Sequence, residues 1–509
     1  MSRSDWAWTA LSAGLLVLGF APSPLGFLSI VALVPLFHVL RKRQPFDAFR
    51  AGYVVGFLWA SGTFYWIAWP TIAGFLGVLL IMPLVTGVFC LLLSRCIRLW
   101  GEGGLWAAPF LWVMLEVVTS YGQLAFPWNL LGNTLAAHPV WIQYAAITGV
   151  YGVSFWIVSM NVLIRRVILN PAKGRIVPIL LLILPLAWGL AVQLRPFPGV
   201  RTLRVSLVQG NIDAYKKWTP EFIDSSFIVY DRMTRRIREQ DPDLVLWPET
   251  ATPCYLRHNA RYWNWVRSLV DSLDVPLLTG APDYAFGATN RIETYNAAFL
   301  FEPGSPVIGY YYKRHLVPFS EKIPFSETFP KMAAWVNRIV PDSGDYTAGD
   351  STTVLNLRTR MHSQVSFSVA ICFESIFPDL VRRFVSKGAD FLVIITNDGW
   401  FGNTSGPRQH AAVAVLRAIE NRRWVVRCAN TGISECIDPY GRITDKTHWN
   451  QSVNLTRTIS VGGPKTFYTE QATFISLFFL SVGGLIAFAS ILRKPNRFPL
   501  FQKRRRNPS

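Results

Sequence analysis

Long apolar runs take up so much of this chain that a soluble fold alone cannot bury them. Residues 1–196 are a succession of such runs, 200–465 read as a soluble domain, and 471–492 are apolar again. Crossing the hydrocarbon core of a bilayer takes about 20 apolar helical residues. On that measure the pattern predicts eight spans, near 5–21, 24–40, 51–69, 72–94, 103–120, 141–163, 177–195 and 471–492. Pro22 and Pro24 in FAPSPLGF break the first pair into a tight helical hairpin, because proline removes a helical donor and clashes with the preceding turn. A cleaved signal peptide is the competing reading of the first run, since Arg3 precedes it; six further spans directly downstream weigh against it.

Charge orients the spans. The loops RKRQPFDAFR (41–50), SRCIRLWGEGG (94–104) and RRVILNPAKGR (165–175) each carry several Arg or Lys, whereas the alternate turns at 21–27, 68–72 and 121–135 carry none. The tail after 492 is again strongly basic. Positive-inside bias then predicts that both termini and the basic loops are cytoplasmic, and that the soluble domain emerges on the other side. The net charge of +19 is accounted for by these flanks beside anionic lipid and calls for no nucleic-acid partner. The expected organisation is a seven-helix transmembrane domain at 1–199, a soluble domain at 200–465, and an eighth helix with a basic cytoplasmic tail at 466–509.

Within 200–465, β-rich runs at 203–210, 243–249, 275–280, 295–301, 309–316, 364–373, 391–396, 423–429 and 432–438 end at Gly, Pro or Asn. Helical stretches at 220–239, 258–272, 376–388 and 408–421 separate them, an order that predicts a layered sandwich of sheets and helices. Cys254, Cys372, Cys428 and Cys436 fall in this domain. They are too few for a disulfide scaffold, and no Cys/His spacing fits a structural zinc site, so no metal is expected.

Three strand ends carry reactive groups: Glu249 in LVLWPE, Lys313 in GYYYKRHLVPFSE and Cys372 in VSFSVAIC. Taken singly, each has a plain reading: a carboxylate at a helix start, half of a solvated basic pair with Arg314, and a core thiol. Together they make a chemistry. A thiol needs a base to become a nucleophile, a buried carboxylate can be that base, and an ammonium stabilises the oxyanion of a tetrahedral intermediate.

The segments WPE (247–249), YYKRHLVPFSE (311–321), ICFES (371–375) and ITNDGWFG (395–402) resemble the Glu-Lys-Cys signature of the nitrilase, or carbon–nitrogen hydrolase, superfamily. The eight-span plan, with FAPSPLGF, FPWNLLGN (126–133), LVQGNIDAYKKW (207–218), HLVPFSEKIPF (315–325) and RQHAAVAVLRAIENRRWVVRCANTGIS (408–434), resembles the apolipoprotein N-acyltransferase family of bacterial inner membranes over essentially the whole chain. That resemblance implies a polytopic α-helical membrane domain carrying an extracytoplasmic nitrilase-like α-β-β-α sandwich. It implies Glu249 as general base, Lys313 as the stabilising cation and Cys372 as nucleophile, with Trp218, Glu321 and Glu374 as supports. Members often carry Tyr after the nucleophile; here Phe373 stands there, which leaves ring packing and removes a phenol hydroxyl. Asn397 to Phe401 are expected to line the same pocket. The implied reaction passes an acyl chain from a phospholipid, through a Cys thioester, to the α-amine of a diacylglyceryl-cysteine at the N-terminus of an apolipoprotein. It implies no cofactor and a multi-pass location in the inner membrane with a periplasmic catalytic domain; soluble nitrilases commonly assemble, but the spans here are expected to leave a monomer. The Trp and Tyr residues of GTFYWIAWP (62–70) and FPWNLL (126–131) suit an interfacial aromatic belt or a lateral opening for acyl chains. A membrane-tethered amidase or lipid hydrolase with water as second nucleophile is the alternative, and a non-catalytic lipid carrier is a third.

Overall fold

The computed structural model describes residues 2–41, 43–170, 176–287, 290–339, 344–360 and 363–493. The basic tail beyond Arg493 and residues 171–175 of the third basic loop lie outside the described residues. Among the described residues, four stretches are long and apolar enough to cross a membrane: Ile72–Val118, Ala145–Leu169, Ile176–Gln193 and Phe467–Leu492. The first is two helices, Ile72–Trp100 and Ala108–Val118, joined by the tight turn Gly101–Ala107, so these stretches cover five of the eight expected spans.

The other three expected spans are helical but shorter or more polar. Arg3–Gly19 has 17 residues, and Pro45–Phe64 opens with Asp47 in its first turn. The continuous helix expected over 24–40 is corrected to a broken one: short pieces at Gly26–Leu28, Ser29–Ala32 and Val34–Leu40. Pro35 lies at the start of the last piece, and the buried side chain of Asn161 satisfies the backbone freed at the break. It accepts from the Leu33 N–H (2.7 Å) and donates to the Ser29 carbonyl (2.8 Å), which an apolar surrounding requires.

The soluble part contains β1 (Arg201–Gln209), β2 (Leu244–Leu246), β3 (Leu277–Phe286), β4 (Ile292–Phe301), β5 (Gly309–Tyr312), β6 (Leu355–Arg358), β7 (Gln364–Ile371), β8 (Phe391–Thr396), β9 (Val425–Ala429), β10 (Glu435–Ile437), β11 (Ile443–Lys446) and β12 (Val453–Val461). They form two six-stranded sheets, ordered β12-β1-β2-β3-β4-β5 and β11-β10-β9-β8-β7-β6. β7, β8 and β9 run parallel. They are buried on both faces, so FLVIIT reads as one apolar run rather than an alternation. The edge strands β6, β11 and β12 were not among the expected strands; Asn356, Arg358, Lys446 and Thr458 on their exposed positions hide the pattern. Helix Pro330–Ile339 was likewise not expected.

Helices Pro220–Ile237 and Ala260–Leu273 cover the first sheet around a core that includes Tyr230, Trp247 and Val266. Helices Pro378–Ser386 and Gly406–Asn421 cover the second sheet and pack at the same time on the membrane helices Ala145–Leu169 and Phe467–Leu492. One apolar core therefore runs unbroken from the membrane helices to the space between the sheets.

Specific polar bonds fix the junction. Glu420 accepts from the Val150 N–H (2.8 Å), Arg422 donates to the Gln143 side chain (2.7 Å), and Gln409 donates to the Thr63 carbonyl (3.1 Å). Val150 can donate because helix Ala145–Leu169 is kinked at Gly149, whose φ is +65°. A Cβ there would meet the Tyr468 ring at 2.3 Å, so only glycine fits.

Candidate active site

The loops leaving β2, β5 and β7 bring Glu249, Lys313 and Cys372 to the wall of one cavity of about 950 Å³. Lys313 is 1% exposed, and its Nζ stands 2.8 Å from Glu321 Oε1 and 3.5 Å from Glu249 Oε1. Asn296, which the sequence reading did not single out, donates from Nδ2 to both carboxylates, at 2.8 Å to Glu249 and 3.1 Å to Glu321. The other oxygen of Glu249 accepts from the Asn397 N–H (3.0 Å). Gly280 lies so close beneath that a Cβ would meet the Glu249 Cα at 2.7 Å. Glu249 is thus held by partners on both oxygens.

Electrostatics decide the resting state. Burial alone would push the Lys313 ammonium down, but Glu321 and Glu249 beside it hold it above its ordinary range. Burial and the neighbouring Glu249 push the Cys372 thiol up, against the pull of Lys313. One ammonium already faces two carboxylates, so a thiolate would be a third anion at the same site, and the surroundings favour the thiol form of Cys372. The same loop carries backbone strain, since Cys372 has a left-handed φ of +53°.

The expected supports divide by location. Trp218, Glu321 and Phe373 line the cavity. Phe373 is 5% exposed, with its ring 5.2 Å from that of Phe377 and 6.5 Å from that of Trp128. Of residues 397–401, Trp400 and Phe401 line the cavity, whereas Asp398 is buried in another contact set. Glu374 is also off the cavity wall. It accepts from Tyr311 Oη (2.7 Å), the Arg314 N–H (2.7 Å) and the Ile371 N–H (2.8 Å), tying the Lys313 loop to the Cys372 loop.

Burial raises the Glu374 carboxyl to about 6, against the donors from Ile371, Tyr311 and Arg314. A carboxyl raised on folding contributes stability that is complete below its unfolded value and is lost as pH rises through its folded one. We expect the stability of the wild type, relative to Glu374→Gln, to fall by about 2 kcal/mol between pH 4.5 and 6.5. Urea melts of the two proteins in detergent across that range measure the difference; parallel curves would contradict it.

Lys217 was also missed. It is 2% exposed and donates to the carbonyl (2.9 Å) and hydroxyl of Thr250, the left-handed residue next to Glu249. Burial lowers its ammonium to about 7, opposed by Glu249.

The far wall of the cavity belongs to the membrane part. Helix Ile72–Trp100 contributes Gly74, Gly77, Val78, Ile81, Met82 and Val85, and Trp66, Phe126 and Trp128 close the side. Trp66 packs 4.7 Å from both Trp128 and Phe401, so aromatic rings join the two parts of the chain along this wall. The opposite face of the helix leaves Ile72, Leu76, Leu80 and Leu84 exposed. The site is therefore a carboxylate, an ammonium and a thiol opening onto an apolar chamber beside a helix whose other face is apolar and exposed. All six cysteines, Cys372 among them, are free thiols.

Comparison with known proteins agrees along the chain. The profile of the apolipoprotein N-acyltransferase N-terminal domain matches residues 12–163, and that of carbon-nitrogen hydrolase matches 204–462. An apolipoprotein N-acyltransferase of Geobacter metallireducens is 33% identical over 513 residues, covering 97% of this chain and 96% of that one. Its counterpart in Chlorobaculum tepidum is 32% identical over 497 residues, covering 92% of each.

Proposed function

This chain belongs to the apolipoprotein N-acyltransferase family, and from that membership we propose that it acylates the N-terminus of lipoproteins through Cys372. The observation that carries the proposal is the cavity itself, which joins Glu249, Lys313 and Cys372 to an apolar chamber walled by helix Ile72–Trp100. A phospholipid acyl chain fills that chamber and presents its ester carbonyl to the thiol. Glu249 takes the thiol proton as sulfur attacks, and Lys313 faces the oxyanion. The C–S bond forms, the ester C–O bond breaks, and the lysophospholipid alkoxide leaves with the proton from Glu249. The α-amine of a diacylglyceryl-cysteine then attacks the thioester. The C–N bond forms, Glu249 accepts the amine proton, the C–S bond breaks, and the thiol is restored. Both substrates are anchored in lipid, so a site mounted at the bilayer meets each at high effective concentration.

The same reading divides the chain into a membrane domain at 1–199, the catalytic domain at 200–465 and a last span with its tail at 466–509. It places eight spans in the inner membrane, both termini in the cytoplasm and the catalytic domain in the periplasm; the basic loops at 41–50, 94–104 and 165–175 support that orientation. Trp218 and Phe373 shape the chamber, Glu321 and Asn296 hold Lys313 and Glu249, and the chain works as a monomer.

The test is acceptor use. Full-length protein in detergent with dioleoyl phosphatidylethanolamine and a peptide bearing an N-terminal diacylglyceryl-cysteine is expected to give acylated peptide and lysophospholipid in equal amounts, with little free fatty acid. Fatty acid released at the same rate with and without peptide favours the hydrolase reading instead.

A further inference from the structure

Off the cavity, beside Cys372, lies a group of ionisable side chains that no step above uses. His410, Asp398 and Arg427 are each 0% exposed. His410 projects from helix Gly406–Asn421, the layer seated on the membrane helices. Its Nε2 stands 3.0 Å from the Cys372 carbonyl oxygen and 2.9 Å from Ser375 Oγ, which itself donates to that carbonyl at 2.9 Å. Its Nδ1 stands 2.9 Å from Asp398 Oδ1. Asp398 also accepts from Arg427 Nη2 (2.8 Å) and from Thr396 Oγ1 (3.1 Å), and Arg427 Nη2 lies 3.1 Å from His410 Nδ1. A carbonyl oxygen only accepts, so the ring donates to it from Nε2.

The contact matters because of where it falls. Cys372 is the first residue of a short 3₁₀ turn, Cys372–Ile376, and it holds a left-handed backbone without being glycine. Such a conformation is costly and persists only where its surroundings fix it. Two donors on one carbonyl do so here. The peptide between residues 372 and 373 is planar, so fixing its C=O also fixes the Phe373 N–H, which points the opposite way. As the second residue of the turn, Phe373 has an N–H that no carbonyl of the turn can reach. Cys372 and Phe373 both line the cavity, whereas His410 does not.

We propose that His410, oriented by Asp398, is a positioning residue for acyl transfer: by pinning the Cys372 carbonyl it holds in place the residue whose thiol serves the cavity. The proposal rests on Cys372 being the nucleophile. It assigns the histidine no proton transfer, because its ring faces the carbonyl of that residue.

The two nitrogens can be separated by substitution. In His410→Gln the amide nitrogen reaches about where Nε2 stood and keeps the bond to the carbonyl. In His410→Asn it stands nearer the former Nδ1 and keeps only the bond to Asp398. Thioester formation on full-length protein with dioleoyl phosphatidylethanolamine is followed by intact mass, with melting temperature measured alongside. His410→Asn is expected to form the adduct about 10²-fold more slowly, the size of effect that misplacing a reacting group by an ångström produces. The concentration of phospholipid at half-maximal rate stays unchanged, and His410→Gln recovers most of the rate. A role in folding alone predicts instead that both variants melt lower and that the folded fraction of each reacts at the wild-type rate; that result overturns the proposal. Should either variant fail to accumulate, Ser375→Ala removes only the second donor to the same carbonyl. It is expected to slow adduct formation several-fold, and a wild-type rate there overturns the proposal equally. Wild-type protein that forms no adduct on Cys372 refutes the nucleophile assignment instead, so the two failures are told apart.

Discussion

Cys372→Ala is expected to leave a folded, membrane-inserted protein that transfers no acyl chain. The thiol is 6% exposed, so removing its sulfur costs about 1 kcal/mol or less of packing. It also removes a group whose charged form the pocket disfavours. Activity falls by about 10⁴-fold or more, because no neighbour on the cavity wall replaces the nucleophile. The measurement is paired: the phospholipid-dependent mass shift disappears, while melting temperature in detergent stays within a few degrees of wild type. A mass shift retained in the variant would move the covalent step to another residue.

Lys313→Met is expected to fail differently. Lys313 is the cation between Glu321 and Glu249, at 2.8 and 3.5 Å, and is itself 1% exposed. On the proposed mechanism, removing it deprives the tetrahedral intermediate of its counter-charge; it also leaves two carboxylates facing each other across a shared Asn296. Breaking a buried pair from one side typically costs about 3–5 kcal/mol, so the variant should melt well below wild type as well as lose turnover by about 10³-fold. The double variant Lys313→Met, Glu321→Gln separates the two effects. Neutralising one carboxylate restores much of the melting temperature and none of the turnover. Glu249→Gln alone should lose about 10²- to 10⁴-fold in rate while keeping stability near wild type. If Lys313→Met instead melts like wild type, the ammonium is not balancing both carboxylates.

The three reactive side chains that share the cavity were legible because each follows a β-rich run, where a polar side chain interrupts a clear pattern. The same rule made β7 and β8 readable and the partly exposed β12 unreadable. Asn296 is one amide inside the otherwise apolar stretch NAAFLF, and nothing local marks it as the bridge between two carboxylates 47 and 25 residues away. His410 and Lys217 stand in polar company, and their partners come from other elements. The break in the second expected span was not legible because a hydropathy run does not register that Pro35 interrupts the helix, nor that Asn161, 128 residues on, satisfies the Leu33 N–H. Periodicity reports which face is buried; it carries no information about partners supplied by distant segments.

The seam between the catalytic layers and the membrane helices has a consequence for lipid choice. Glu420 on Val150, Arg422 on Gln143 and Gln409 on Thr63 tie the catalytic layers directly to the apolar helices. On the proposed function, that seam makes the protein a height gauge. A lipid would react when its ester rises to the level of Cys372, and linkages set deeper or shallower would be passed over before their chemistry is ever compared.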